Sequence, residues 1–136
     1  MTSVQRFYPS NTPQNMSRTD VSQLSSYTVT NGDAQIYYNN PVNTDIPITL
    51  PTAATAKWNN YPIIYLVNAS PQNASNHPWM TFNLAPGVTV RAANTSVWTS
   101  YFHVRAGYSG YILYTGNDHW VIQGVALDNT DGGGGA

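Results

Sequence analysis

Residues 45–68 read DIPITLPTAATAKWNNYPIIYLVN, and this stretch decides the fold. Ile46, Ile48 and Leu50 alternate with residues that suit an exposed position, which predicts a strand with one buried face. Pro51 ends that strand because proline has no N–H to donate to a neighbouring strand. The alanines that follow allow at most one or two helical turns, so we expect the chain to turn there.

A second strand is predicted at residues 63–67, which read IIYLV. This run is too continuous for a strand with one face in water, and it is too short and too β-branched for a helix. We therefore expect a central strand that is buried on both faces. The rest of the chain is expected to pack around it.

The composition favours strands throughout the chain. Its 136 residues fit one domain, which would bury roughly 65 to 70% of the surface of the unfolded form. Charged residues make up only 8% of the chain, glutamate is absent, and Lys57 is the single lysine. Helical surfaces are usually built from Glu, Lys, Ala, Arg and Gln, so we expect an all-β protein.

The same composition argues against several classes of function. The net charge is −1 without a basic stripe, whereas proteins that bind nucleic acid neutralise phosphates with many Lys and Arg residues. The chain has no cysteine, so neither a disulfide framework nor a thiolate metal site is expected. The segment MTSVQRFYPS lacks the apolar core of a signal peptide, and no stretch approaches about 18 apolar residues. We expect synthesis in the cytoplasm and no membrane insertion.

Two hairpins are predicted from turn residues. Residues 27–30 and 34–38 have strand-like composition and flank the segment Asn31-Gly32-Asp33, which is typical of a tight turn. Later in the chain, Gly116-Asn117 separates two more strand-like runs, and this dipeptide suits a turn of type I′ because both residues tolerate positive φ.

Strand-like runs recur at short, regular intervals. In one of them Phe102 and Val104 share the apolar face that we expect to be buried. This spacing predicts an antiparallel, jelly-roll-like β-sandwich of about 8 to 10 short strands with an extended N-terminal arm. The runs not yet mentioned lie at residues 79–84, 88–91, 97–105, 111–114 and 119–122.

The composition divides the chain into three segments. Residues 1–26 lack the periodicity of a strand or a helix and are predicted to form an extended N-terminal arm. Residues 27–125 form the predicted β-sandwich domain. Residues 126–136 include four consecutive glycines and are predicted to be a flexible, Gly-rich tail.

The arm carries the predicted partner-binding residues, which are Arg6, Phe7, Tyr8, Met16 and Arg18. Exposed aromatic residues next to arginine often anchor protein interfaces. We expect Phe7 and Tyr8 to fill apolar pockets of a partner and Arg6 or Arg18 to pair with its acidic groups. The alternative is that the arm packs back on its own domain.

The sequence shows no catalytic machinery. His77, His103 and His119 lack the spacing of a metal site, so no metal is expected. Most of the six aspartates lie in apparent turns, where Asp is favoured for backbone reasons rather than for acid–base chemistry. Neither a G-x-S-x-G motif nor a phosphate-binding glycine loop occurs. We therefore expect no enzymatic activity and no cofactor.

Four segments occur in an order that carries a family resemblance. They are NGDAQI at residues 31–36, expected as part of a strand pair around Asp33, then ITLPTAA at residues 48–54, YPIIYLVN at residues 61–68 and GNDHWVI at residues 116–122. This order resembles the small β-sandwich modules of tailed-bacteriophage fibres and capsid decoration proteins. In that family an I-T-L-P-x-A segment precedes an apolar strand, and a hairpin with glycine and tryptophan closes the domain. The chain differs from the family in having NNYP before the apolar strand, where a glycine is common.

The resemblance covers roughly residues 27–123 and implies a homotrimer without enzymatic activity. Because the chain is one small domain with an arm, it implies a capsid decoration protein whose arm binds the major capsid protein or another virion protein. The expected location is the capsid surface of the virion, after assembly in the host cytoplasm. One alternative is a short fibre tip or adsorption protein that binds a host surface glycan. A free-standing lectin is the third, since tyrosine and tryptophan rings can stack on sugars.

Overall fold

The computed structural model describes residues 16–73, 75, 77–94, 96, 99–124 and 127–128. Within these residues the only helix is a single turn, and no helix is long and apolar enough to span a membrane. The elements in chain order are β1 (Arg18–Asp20), β2 (Tyr27–Thr28), β3 (Gln35–Tyr38), β4 (Ile46–Leu50), α1 (Ala53–Ala56), β5 (Ile63–Asn68), β6 (Met80–Leu84), β7 (Thr89–Ala92), β8 (Tyr101–Val104), β9 (Ser109–Gly116), β10 (His119–Gly124) and β11 (Leu127–Asp128).

The strands form two sheets that enclose one hydrophobic core. The first sheet has six strands in the order β1-β3-β5-β9-β10-β7, and the second has five in the order β11-β8-β6-β4-β2. Apolar residues from both sheets meet in a single buried cluster, which confirms the predicted all-β sandwich. The largest fully buried side chains are those of Trp120, Tyr38, Phe82 and Phe102.

Strand β4 has the one-sided burial that its alternation predicts. Ile46, Ile48 and Leu50 are at most 1% exposed, and the two residues between them face solvent. Helix α1 follows at once, and the Thr52 side chain accepts a hydrogen bond from the Thr55 backbone N–H at 3.3 Å as its N-cap. The predicted strand, turn and short helix are all confirmed here.

The pairing of the strands differs from the predicted antiparallel arrangement. Five of the nine pairings between named strands are parallel. The reason is the path of the chain, since each strand from β1 to β9 lies in the opposite sheet from the one before it. From β1 to β6 the chain keeps its original direction each time it returns to a sheet, so β1, β3 and β5 are parallel neighbours, as are β2, β4 and β6. The later strand β8 pairs antiparallel with β6.

The predicted hairpin of residues 27–38 is wrong for the same reason. Strand β2 pairs with β4 in the five-stranded sheet, while β3 pairs with β1 and β5 in the six-stranded sheet. The segment at residues 31–33 is a corner between the sheets rather than a hairpin turn. Its Asp33 carboxylate is only 9% exposed and accepts hydrogen bonds from Thr19 Oγ1, the Tyr27 hydroxyl and the Thr30 N–H.

Strand β5 is central, as predicted, but it is not buried on both faces. Ile64 and Leu66 are completely buried, whereas Ile63 is 47% exposed and Tyr65 is 39% exposed. A two-layer sandwich covers each sheet on its inner side only, so alternate residues of a central strand still face outward. The continuous apolar run therefore fills the core with one half of its residues and presents the other half to the outside.

The hairpin of β9 and β10 is confirmed. Its two-residue turn consists of Asn117 and Asp118, with φ values of 55° and 62°, as a type I′ turn requires. The positive φ values at the turn thus belong to Asn117 and Asp118 rather than to Gly116 and Asn117, although Gly116 also has a positive φ of 102°. The Asp118 carboxylate accepts a hydrogen bond of 2.7 Å from the Ala53 N–H, which joins this turn to the start of α1.

The sandwich extends beyond residues 27–125 at both ends. Strand β1 lies within the segment predicted as an arm, and Val21, which follows it, is completely buried in the core. Strand β11 lies within the segment predicted as a tail and pairs with β8. Short strands at the edges of a sheet are recognised through their partners, so their own sequence gives little indication of them.

Candidate functional site

The outward face of β5 carries a row of exposed large side chains. Ile63, Tyr65 and Val67 point away from the core because successive residues of a strand alternate between its two faces. Tyr61 precedes the strand and is 69% exposed. The row lies in the middle of the six-stranded sheet, because β5 is flanked by β3 and β9.

The two neighbouring strands widen this row into a surface. Tyr111 on β9 lies opposite Tyr65, and their ring centroids are 5.2 Å apart. Leu113 lies opposite Ile63 on the same strand. On the other side, β3 places Tyr37 beside Val67. We name this surface the tyrosine face, and its members are Tyr37, Ile63, Tyr65, Val67, Tyr111 and Leu113.

A shallow pocket of about 340 Å³ opens between Tyr65 and Tyr111 at one end of the tyrosine face. Gly110 and Gly124 also line it and lie opposite each other on β9 and β10. A Cβ atom on Gly110 would lie only 2.5 Å from the Gln123 carbonyl oxygen, so the two backbones can approach only because a side chain is missing. The pocket gives a partner a recess next to two aromatic rings.

Charged groups lie beside the tyrosine face rather than on it. Arg18 on edge strand β1 places its guanidinium carbon 4.1 Å from the centre of the Tyr37 ring, a cation–π contact. Its Nε atom also donates a hydrogen bond of 2.7 Å to Gln35 Oε1. Gln35 Nε2 lies 3.9 Å from the Met16 sulfur. The structure thus brings two of the predicted partner-binding residues, Met16 and Arg18, to one edge of the tyrosine face.

The other three predicted partner-binding residues, Arg6, Phe7 and Tyr8, lie outside the residues that the structure describes. Their contact with a partner stays a prediction. Met16 is 42% exposed and Arg18 is also exposed, so both are accessible within the described chain.

Three aspartates in turns stabilise the fold through backbone and side-chain hydrogen bonds. Asp33 holds the corner between the sheets, and Asp118 holds the start of α1. Asp45 accepts hydrogen bonds from the Trp79 N–H at 2.8 Å and from His77 Nδ1 at 2.9 Å. Burial, together with the hydrogen bond to Asp33, raises the pKa of the Tyr27 hydroxyl above its ordinary value. These contacts match the backbone role that turn aspartates usually have.

The three histidines do not form one cluster. His77 stacks on Trp79 with ring centroids 3.9 Å apart, and His103 lies tilted against the same ring at 4.3 Å. His119 lies in the other sheet, where its Nδ1 atom is 2.5 Å from Thr89 Oγ1. Among the described residues, no group of three or more His, Cys, Asp and Glu side chains is arranged to hold a metal ion.

The sequence reasoning missed the tyrosine face because it placed β5 in a fully buried position. One feature could have indicated the face, since tyrosines occupy positions 61 and 65, at even spacing on either side of Ile63. Tyrosine has a polar tip and is favoured where one end of a side chain meets water. A comparison of the chain with protein-family models, curated proteins and solved structures finds no match.

Proposed function

We propose that this chain is a virion structural protein of a tailed bacteriophage, namely a capsid decoration protein that binds the outer shell as a homotrimer. It acts by assembly, without enzymatic activity, metal or cofactor, and it is located on the capsid surface after assembly in the host cytoplasm. The observation that carries the proposal is the tyrosine face, an uncharged apolar surface at the centre of a sheet. The family resemblance of residues 27–123 supports it.

The size of the exposed surface favours association with other protein chains. The exposed fractions of Tyr61, Ile63 and Tyr65 amount to roughly 300 Å² of mainly apolar surface. This area is similar to that of the largest apolar patch on a typical monomeric protein, and such patches are often binding surfaces. A stable interface buries about 800 Å² on each partner, so these residues are proposed to form the centre of a larger contact.

Attachment to the capsid is assigned to the N-terminal segment, as distinct from the tyrosine face. Phe7 and Tyr8 provide the apolar anchors, and Arg6 or Arg18 provides the positive charge. The partner is the major capsid protein or another virion protein. Arg18 stands on the edge strand β1 and contacts Tyr37, which places its positive charge beside the tyrosine face.

The second candidate is a short fibre tip or adsorption protein that binds a host surface glycan. One observation favours it: Tyr61 is 69% exposed and stacks on Tyr114 at 6.1 Å, so its outer ring face is open to a sugar. The number of copies per particle separates the candidates. A decoration protein is present in hundreds of copies, and a fibre tip in a handful. A quantitative mass spectrometric count that gives a handful would overturn the decoration assignment.

Capsid attachment is tested by deleting residues 2–15 and measuring binding to particles that have been stripped of this protein. A longer deletion, to residue 20, would also remove β1 and its contact with Asp33, so it would mix folding with attachment. Interface anchors typically contribute about 2 kcal/mol each, or about 30-fold in affinity, and a trimer multiplies that effect. We expect a folded variant that no longer attaches. Attachment equal to that of the full chain would place the binding surface on the sandwich and favour the fibre tip.

A further inference from the structure

We propose that strand β5 lies along the three-fold axis of the homotrimer, so that Ile63 and Tyr65 each meet the same residue of two further copies. This inference rests on the proposed trimer and specifies which surface builds it. The occupant of the tyrosine face is thus two further copies of this chain.

The position of β5 in the sheet determines how its exposed residues can be covered. The backbone of β5 is hydrogen-bonded to β3 on one side and to β9 on the other. An added strand from a partner therefore has no free backbone edge to pair with at β5. Ile63 and Tyr65 can be covered only by a surface that approaches the sheet face-on.

The distribution of exposure fits three copies that meet along a line. The exposed large apolar side chains of this sheet lie on β5, and the flanking residues Tyr37, Tyr111 and Leu113 are only partly exposed. Farther along the sheet, Val121 on β10 is 7% exposed. Large apolar side chains are thus exposed along one line, which is β5. Three such lines can meet at an axis, with the flank of each copy packed against the flank of the next.

The charge pattern fits a symmetry axis. Every residue on such an axis meets its own copies, so a charged residue there would face like charges. The outward positions of β5 are held by Ile63, Tyr65 and Val67, none of which carries a charge at neutral pH. Arg18 and Asp20 stand on β1, two strands away, which is about 10 Å at the usual spacing between strands. There they face different residues of a neighbouring copy.

Residues 63 and 65 form successive layers along the axis, about 7 Å apart, because two residues of a strand span that distance. The Ile63 layer is purely apolar. In the Tyr65 layer three hydroxyl groups meet, and each can donate a hydrogen bond to the next around the axis. The layer can therefore be buried without leaving a hydroxyl group unpaired.

The absence of cysteine makes a direct test possible, because any introduced thiol is unique in the chain. The variants Ile63→Cys and Tyr65→Cys place a thiol on the proposed axis. Asn83→Cys is the control, since Asn83 is exposed on the outer face of the other sheet. Each variant is treated with a short bis-maleimide, separated under denaturing conditions, and its native mass is measured by light scattering.

A three-fold axis predicts a characteristic yield. Of three thiols at one point, two become joined and the third has no partner, so about two-thirds of the chains run as covalent dimers and about one-third stay single. We expect this result for Ile63→Cys and Tyr65→Cys and no crosslinking for Asn83→Cys. Two positions are used so that a folding defect in one variant leaves the other informative.

Other outcomes overturn the inference in distinguishable ways. A trimeric mass without crosslinks at residues 63 and 65 would leave the trimer in place and remove β5 from its axis. A dimeric mass with complete crosslinking would indicate a two-fold face-to-face contact and would overturn both the axis and the trimer. A monomeric mass would overturn both the axis and the trimer, and the tyrosine face would then be expected to contact the capsid protein or a glycan. Binding of the unmodified chain to stripped particles, measured in parallel, tests the decoration function by itself.

Discussion

The Asp33 carboxylate connects three separate parts of the chain, and its removal should weaken the fold strongly. It accepts hydrogen bonds of 2.6 Å from Thr19 Oγ1, 2.8 Å from the Tyr27 hydroxyl and 2.8 Å from the Thr30 N–H. Thr19 belongs to β1 in one sheet and Tyr27 to β2 in the other. The substitution Asp33→Ala would leave all three donors without their acceptor.

The expected loss follows from these contacts. A hydrogen bond to a charged group contributes about 1.5 to 3 kcal/mol, and water can replace part of it because the site lies near the surface. The Asp33 carboxylate also no longer has to be desolvated, which offsets a further part. We expect a net loss of about 3 to 4 kcal/mol in the free energy of unfolding, or roughly 10 °C in Tm for a chain of this length.

The assay is urea and thermal unfolding followed by circular dichroism. Asp20→Ala is the matched control, because that exposed carboxylate accepts a hydrogen bond from the Ser22 N–H, and its loss should cost less than about 1 kcal/mol. A double-mutant cycle of Asp33→Ala with Thr19→Val should be non-additive by about 1 kcal/mol or more. If Asp33→Ala and Asp20→Ala unfold alike, the role of Asp33 as a connector between the sheets is wrong.

Further predictions concern the two faces of β5, the ionisation of tyrosine, the close contact of two strands and the role of metal. Ile64→Ala should lower the free energy of unfolding by about 2 to 5 kcal/mol because Ile64 is completely buried. Ile63→Ala, on the exposed face, should lower it by less than about 1 kcal/mol when the protein is dilute and dissociated. Equal losses in urea titrations would refute the assignment of the two faces. The raised pKa of Tyr27 stabilises the fold fully below the ordinary tyrosine pKa, and this contribution is lost as the pH rises through the folded-state value. Above about pH 10 the free energy of unfolding of the wild type should therefore fall more steeply with pH than that of Tyr27→Phe. If the two plots of unfolding free energy against pH run parallel, this prediction is wrong. Gly110→Ala should lower Tm by several degrees because its Cβ would lie 2.5 Å from the Gln123 carbonyl oxygen, and an unchanged Tm would mean that β9 and β10 can separate at little cost. Excess chelator should leave Tm unchanged, and a fall of several degrees would indicate a metal site.

The sequence predicted those features that depend on residues close together along the chain. The alternation of residues 46–50 identified β4 and its buried face, and Gly116-Asn117 located the β9–β10 hairpin. It could not predict which strands become neighbours. The partner of β2 is β4, and a turn of the composition Asn31-Gly32-Asp33 serves equally well as a hairpin turn or as a corner between sheets.

The candidate site was harder to predict for a related reason. An apolar strand between two helical layers and an apolar strand in a two-layer sandwich have similar sequences, although only the first is buried on both faces. Whether Tyr65 lies in the core or on the surface depends on what covers the sheet, and the apolar run of residues 63–67 does not decide this by itself. The sequence places Arg18 in the predicted arm, because a strand of three residues is too short to show a period.

The alternation of the chain between the two sheets has a consequence for how the protein folds. Since each strand from β1 to β8 is followed by one in the opposite sheet, almost every pairing must wait for a distant segment, and Ile63 of β5 pairs with Leu113 of β9. Chains dominated by such distant pairings fold slowly, on a scale of milliseconds to seconds. During synthesis, β5 leaves the ribosome well before β9 exists, and its apolar residues stay uncovered in that interval. The β9–β10 hairpin, with its two-residue turn, can form locally and give β5 an edge on which to complete the sheet.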